Sequence, residues 1–524
     1  MPRHMCSTPG QLNPTPGHVS SHRPADASRR TGVSVEHMNQ SPRGVGPMDR
    51  RQFLTGSSLT TAAMALAWLG AGNGKAAQVR RPNILFAIAD DQSAAHTSIG
   101  GDPVVETPNF DRIATEGVRF TNAYCSSPSC TPSRGAILTG QHIWRLGQGG
   151  SLWSALPSEH AVYPDLLEAA GYHVGFARKG WGPGSHEASG WPRNPAGDRY
   201  DGLGDFLEDR PRDAPFCFWF GSHEPHRPYE RGSGVDSGMD PGAVRVPAML
   251  PDAPEVRSDI CDYLLECQTF DRQVGAMLDM LEDRGELDNT LIVMTSDNGM
   301  PFPRAKANLY DWGTRMPMAV RWGEAVSPGR VVDDYVDLAD VAPTFLEVAG
   351  LEPTEHMTAR SLAGILTGEG EGRIDPLRDR IYLGRERHAW VREGNLGYPC
   401  RALRSDEYLY IRNFEPDRWP AGDPPGYGDI DGGPTKAYLL EHRDDPEVAP
   451  LFELACAKRP AEELYHLPSD PDQMNNVAGD PAHAEARDGL WGQLERYLDE
   501  TGDPRAQGGG DIFETDQYFG RPHV

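Results

Sequence analysis

Long apolar runs with no polar alternation punctuate the first part of the chain. Residues 82–89, Pro-Asn-Ile-Leu-Phe-Ala-Ile-Ala, and residues 290–296, Thr-Leu-Ile-Val-Met-Thr-Ser, are nearly continuously apolar. Strands buried on both faces of a sheet carry this pattern. Shorter runs at 118–124, 173–177, 216–221 and 318–322 predict further strands. Between them, Ile260, Leu264, Cys267, Phe270, Val274, Met277, Leu278 and Leu281 recur at helical spacing, which predicts a core-facing helix over 259–282. Strands alternating with helices predict an α/β fold, a mostly parallel sheet covered by helices, over 79–375. Beyond about Pro376 the pattern changes to short strands at 380–383 and 408–412, Pro- and Gly-rich loops at 419–434, and a helix at 484–498. This predicts a smaller C-terminal α+β subdomain over 376–524, and no internal repeat is present.

The N-terminus reads as an address. Residues 1–47 are rich in Pro, Ser, Gly, His and Arg and lack apolar periodicity, the composition of a disordered leader or of an upstream mis-start ahead of Met48. Residues 48–78 place Arg50-Arg51 before Phe53-Leu54 and an apolar run at 59–69 that is too short to span a bilayer. The arrangement resembles a twin-arginine export signal with cleavage near Lys75-Ala76-Ala77, which predicts a periplasmic or secreted protein without stable membrane insertion.

The 524 residues carry 50 basic and 76 acidic side chains, a net charge of −26. Such a field excludes nucleic acid as a partner, and any anionic substrate has to meet a local cationic pocket. Eight cysteines at this length argue against a disulfide scaffold. No motif bears on oligomeric state.

Candidate chemistry sits where apolar strands end. The first run ends in Asp90-Asp91 and the run at 290–296 ends in Asp297-Asn298. In open α/β sheets functional groups collect beyond the carboxyl ends of strands, so the two ends predict one shared site. The donors are all oxygens, which suits a hard cation: Ca²⁺ is favoured, with Mg²⁺ the alternative.

Cys130-Thr131-Pro132-Ser133-Arg134, trailed by Leu138-Thr139-Gly140, resembles the sulfatase signature, and the ordered series Asp90-Asp91, Cys130, Arg134, Lys179, His223 and Asp297-Asn298 extends the resemblance over the whole mature chain. The chain is thereby identified with the type I, formylglycine-dependent sulfatases, which implies an alkaline-phosphatase-like fold. Ser296 to Pro303, His223-Glu224-Pro225-His226-Arg227, Tyr398-Pro399-Cys400-Arg401 and Glu463-Leu464-Tyr465 are similar to the heparan N-sulfatase (sulfamidase) branch. The resemblance implies that a maturase oxidises Cys130 to formylglycine, whose hydrate attacks sulfur and joins Asp90, Asp91, Asp297 and Asn298 around the cation. Arg134 would fix the formylglycine hydroxyl, Lys179 and Lys306 would clamp sulfate oxygens, and His223 would protonate the leaving group. His226, Arg385, His388 and Arg401 would bind substrate, with Tyr398 adding an aromatic face.

Two departures accompany the match. The family has a histidine two positions beyond the lysine where this chain has Trp181, which leaves His186 or His226 as base for sulfate release. Lys306 stands where the sulfamidase pattern has arginine, keeping the charge and losing the planar fork. The expected activity is release of sulfate from a small sulfated saccharide, N-sulfoglucosamine first. The alternatives are an O-sulfate ester carbohydrate sulfatase, a phosphate or phosphonate ester hydrolase of the same fold, and a noncatalytic sulfated-glycan binder.

Overall fold

The computed structural model describes residues 81–522, which fall within one compact unit. The leader and the twin-arginine-type segment lie outside the described residues.

Eight strands form the main sheet: β1 (Asn83–Ala89), β2 (Val118–Tyr124), β3 (His173–Arg178), β4 (Asp198–Tyr200), β5 (Phe216–Gly221), β6 (Thr290–Ser296), β7 (Arg315–Arg321) and β8 (Arg330–Asp337). Their order is β4-β3-β5-β1-β6-β7-β2-β8, and β7 alone runs antiparallel to its neighbours. Side chains of β1 alternate between two cores: Ile84, Phe86 and Ile88 pack into one, Leu85, Ala87 and Ala89 into the other. Both faces are dry, which is why the strand reads as a continuous apolar run.

Three helices matter for the site and its support. Helix α1 (Cys130–Thr139) is buried at all ten positions. Pro132 sits in its first turn, where no backbone N–H is needed, and Gly140 at φ 65° ends it. Helix α2 (Pro254–Asp283) starts before the predicted 259 because Pro254 opens it and Val256 prolongs the apolar stripe. Its first half packs with Met300 and Phe302, its second half under the sheet through Phe270, Val274, Met277, Leu278 and Leu281. Helix α3 (Ala484–Glu500) lays Leu490, Leu494 and Leu498 against a second sheet.

That second sheet is antiparallel, in the order β12-β11-β10-β9, with β9 (Arg380–Arg385), β10 (Cys400–Ser405), β11 (Tyr408–Asn413) and β12 (Glu462–His466). The seven described cysteines are all free. Among the described residues no helix is long and apolar enough to cross a membrane.

Candidate active site

Four adjacent strands, β3, β5, β1 and β6, deliver their carboxyl ends side by side. Lys179 follows β3, Ser222-His223 follow β5, Asp90-Asp91 follow β1 and Asp297-Asn298 follow β6. Backbone bonds keep the exits in register: Lys179 N–H donates to Gly221 O at 2.9 Å, Ser222 N–H to Ile88 O at 2.9 Å and Asp297 N–H to Ala89 O at 3.1 Å. A Cβ on Gly221 would lie 1.7 Å from the Lys179 carbonyl, so only glycine allows this approach. Asp91 (φ 80°), Arg178 (φ 62°) and Ala307 (φ 61°) all adopt the left-handed region. Such backbone costs of order 1 kcal/mol per residue, and here it lies at or beside Asp91, Lys179 and Lys306.

Asp90, Asp91, Cys130 and Asp297 each bring one ligand atom within 4.8 Å of the others, all buried. Three carboxylates at that spacing are met by three cations. Lys179 Nζ donates to Asp90 Oδ1 and Oδ2 at 2.7 and 2.6 Å, Lys306 Nζ to Asp91 Oδ2 at 2.8 Å, and Arg134 Nε to Asp297 Oδ2 at 2.7 Å. Burial opposes ionisation of Asp90, yet Lys179, with His226, Arg134 and Lys306, holds its carboxyl below the usual range. For Asp91 burial prevails over Lys306 and His226, and its carboxyl is raised.

The donor set fits a hard divalent cation. Asn298 Nδ2 donates to Asp91 Oδ1 at 2.7 Å and to Gly299 O at 3.1 Å, while its Oδ1 is buried with no hydrogen-bond partner. A buried amide oxygen left without a donor beside three carboxylates is satisfied by a metal ion at modest cost and otherwise stays costly.

Cys130 opens α1, and its thiol donates toward Asp90 Oδ1 at 3.4 Å. Burial pushes the thiol well above its ordinary range; Lys179 works against this, and Asp90 and Asp297 reinforce it. Arg134, one turn on, spends Nε on Asp297 and Nη1 on the carbonyls of Lys179 and Gly180 at 2.9 and 3.1 Å. Its Nη2 is buried without a partner. A cleft of about 950 Å³ opens over the site, with Asp90, Lys179, Trp181, His186, His223 and His226 in its lining.

The histidines differ in placement. His223 is exposed overall, yet partial desolvation of its ring against the cleft wall lowers its pKa. His226 reaches further in: its Nδ1 is 2.6 Å from Arg227 O, which requires a proton on Nδ1, and its Nε2 faces Asp91 Oδ2 at 3.8 Å. His186 Nε2 lies 3.4 Å from Glu187 Oε1. His388 is buried, bonds Ser129 Oγ through Nδ1 at 2.8 Å, and is pushed down to about 4, chiefly by burial. It therefore supports the residue that precedes Cys130.

Arg401 does not face the cleft. It is fully buried, with Nε on Asp503 at 2.7 Å, Nη2 on Glu386 at 2.7 Å and Nη1 on the carbonyls of Arg385 and Cys400. Every nitrogen is consumed, so the sequence expectation of substrate binding is corrected to a structural role. Arg385 is also buried, with Nη2 on Asp429 Oδ2 at 2.6 Å, but its Nε and Nη1 have no hydrogen-bond partner. The expected aromatic face of Tyr398 is also absent, because its ring is fully buried with the Arg385 and Arg392 guanidinia 5.4 and 5.8 Å away.

One carboxylate of the site escaped the sequence reading. Asp431 Oδ2 lies 3.1 Å from Lys306 Nζ, and its carboxylate is within 4.8 Å of ligand atoms of Asp91 and His226. It sits in the Pro- and Gly-rich loop at 419–434, where neither periodicity nor a strand end signals position.

A doubly covered, mostly parallel sheet with this constellation at its strand ends defines a class, and comparison with known proteins agrees. The sulfatase family model matches residues 82–351, and the chain belongs to that family: it is a hydrolase of sulfuric esters or sulfamates. The model for the C-terminal region of N-sulphoglucosamine sulphohydrolase matches residues 304–421, which places the resemblance on the sulfamidase side. Human N-sulphoglucosamine sulphohydrolase is 29% identical over 490 residues, 82% of this chain and 92% of its own. An ulvan-active sulfatase of Formosa agariphila is 27% identical over 472 residues, 81% of this chain and 76% of its own. Among solved structures, BT4656 in complex with its substrate D-glucosamine-2-N,6-O-disulfate superposes with a TM-score of 0.58 at 22% identity, covering 83% of this chain and 100% of that one. That likeness is one of fold, alkaline-phosphatase-like.

Proposed function

We propose that the protein is an exported sulfatase that removes sulfate from a small sulfated saccharide, N-sulfoglucosamine first, with Cys130 oxidised to formylglycine by a maturase. Asp90, Asp91, Asp297 and Asn298 would hold Ca²⁺, or Mg²⁺ in its place. The observation that carries the reading is the convergence of Cys130 with three carboxylates and three cations at four strand ends. The sulfamate preference is supported by the C-terminal family match and the human relative.

Bound, the two groups would supply a pair of hydroxyls on one carbon, one to take sulfur and one to drive its release, and a Lewis acid for a sulfate oxygen. The chain supplies the rest. Without the ion, Lys179, Lys306 and Arg134 balance Asp90, Asp91 and Asp297; a divalent ion turns the pocket net positive, which favours a sulfate. Lys179 and Lys306 approach from two sides and hold sulfate oxygens. Arg134 Nη2, unpartnered and buried, is free to orient the residue at 130. His226 keeps its Nδ1 proton on Arg227 O, so Nε2 is the atom that hands a proton to the leaving group and, once deprotonated, takes one during sulfate release. That double use answers the loss of the family histidine at Trp181. His223, on the cleft wall, contacts the departing sugar.

The net charge of −26 repels long polyanions, so exo-action on a terminal or free sugar is expected. Sulfate release is to be compared for N-sulfoglucosamine, 6-O-sulfated N-acetylglucosamine and intact heparan chains. Fastest release from N-sulfoglucosamine is the expected result. Preference for the O-sulfate removes the enzyme from the sulfamidase class, and release at internal positions of intact chains overturns the exo reading.

A further inference from the structure

A carboxylate at the edge of a sulfate pocket needs a reason. Asp431 adds negative charge beside Lys306, the cation expected to grip a sulfate oxygen, and so works against anion binding. Lys306 Nζ is shared between two carboxylates, Asp91 Oδ2 at 2.8 Å and Asp431, and Asp431 is the one that favours its charge more. Beyond the 3.1 Å ion contact with Lys306, Asp431 Oδ2 has no hydrogen-bond partner among the described residues, and the side chain is 27% exposed. The Asp91, His226 and Asp431 ligand atoms lie close enough to hold a second metal. Lys306 Nζ, in contact with both Asp91 and Asp431, fills that place with its own charge.

Resting on the sulfamidase reading, we propose that Asp431 is a specificity-determining residue that receives the nitrogen of an amine leaving group. When a sulfamate is hydrolysed the S–N bond breaks, both electrons stay on nitrogen, and nitrogen takes up protons. R-NH-SO₃⁻ and water give R-NH₃⁺ and SO₄²⁻, so the organic product is a cation. A sulfate ester releases a neutral alcohol instead. An anionic oxygen within 4.8 Å of a ring nitrogen of His226, the residue that delivers the proton, stabilises an emerging ammonium and gives a hydroxyl much less. The pocket is then cationic toward sulfate and anionic toward the atom that leaves.

Asp431→Asn and Asp431→Ala are to be assayed on N-sulfoglucosamine and on 6-O-sulfated N-acetylglucosamine, with competitive inhibition by free glucosamine and by N-acetylglucosamine. Loss of a charged hydrogen bond predicts kcat/KM for the N-sulfate lower by about tenfold or more. The O-sulfate should change less than about threefold, and inhibition by glucosamine should weaken while that by N-acetylglucosamine holds. Asp431→Glu should recover part of the N-sulfate rate. Equal losses on both substrates, with both inhibitors unaffected, overturn the proposal and leave Asp431 as a support for Lys306. Wild-type enzyme that cleaves the O-sulfate and not the N-sulfate overturns the sulfamidase reading itself, and this proposal with it.

Discussion

Cys130→Ala is expected to lower sulfate release by about 10⁴-fold or more while leaving the protein folded, because removal of a covalent nucleophile eliminates a step rather than a contact. The thiol sulfur makes one polar contact, with Asp90 Oδ1, so its loss leaves a small void worth ~1–2 kcal/mol. Rates and thermal unfolding of variant and wild type check both halves, and mass spectrometry of the wild-type Cys130 peptide reports the aldehyde directly. Activity in the alanine variant near that of wild type sinks the covalent mechanism.

Asp297→Ala has the second large effect. Asp297 accepts Arg134 Nε through Oδ2 and the Asp91 N–H through Oδ1, and it is fully buried. Removing it would take one of three carboxylates from the proposed cation and strand a buried guanidinium, which costs about 3–5 kcal/mol. The variant is expected to lose bound metal and activity together and to melt well below wild type. Elemental analysis beside calorimetry is the check. Full metal occupancy in the variant, or stoichiometric zinc with undiminished activity after calcium chelation, contradicts the ligand assignment.

The sheet was legible because its central strands are dry on both faces. Strands β2, β5 and β6 appear at their predicted bounds, and Asp90, Asp91, Asp297 and Asn298 stand at strand ends, where position follows from chain direction. Signals that rest on local sequence survive folding in this way. Arg401 did not, since an arginine reads the same whether it meets a substrate anion or Asp503 about 100 residues further along the chain. Asp431 was invisible for the complementary reason: its neighbours Gly432 and Gly433 give a turn signal, and only the folded loop brings it to Lys306. The anchoring of His226 was equally hidden, because sequence cannot tell which imidazole is pinned by a carbonyl.

The burial of α1 sets an order of events in the life of the protein. All ten of its residues are shut away, and Cys130 is 2% exposed. A modifying enzyme reaches a buried side chain only when the chain around it opens, and a helix buried at every position opens at a high free-energy cost. On the proposed reading, oxidation of Cys130 would therefore belong to the interval between synthesis and folding, while the signature is still a loose chain, and a twin-arginine-type route, which carries folded cargo, would close that interval before export. Native protein made without a maturase should stay unoxidised when one is supplied afterwards, and refolding in its presence should restore the aldehyde. Conversion of the folded form at an undiminished rate would show that the helix opens on its own, and the quality of a preparation would then depend on storage rather than on how it was born.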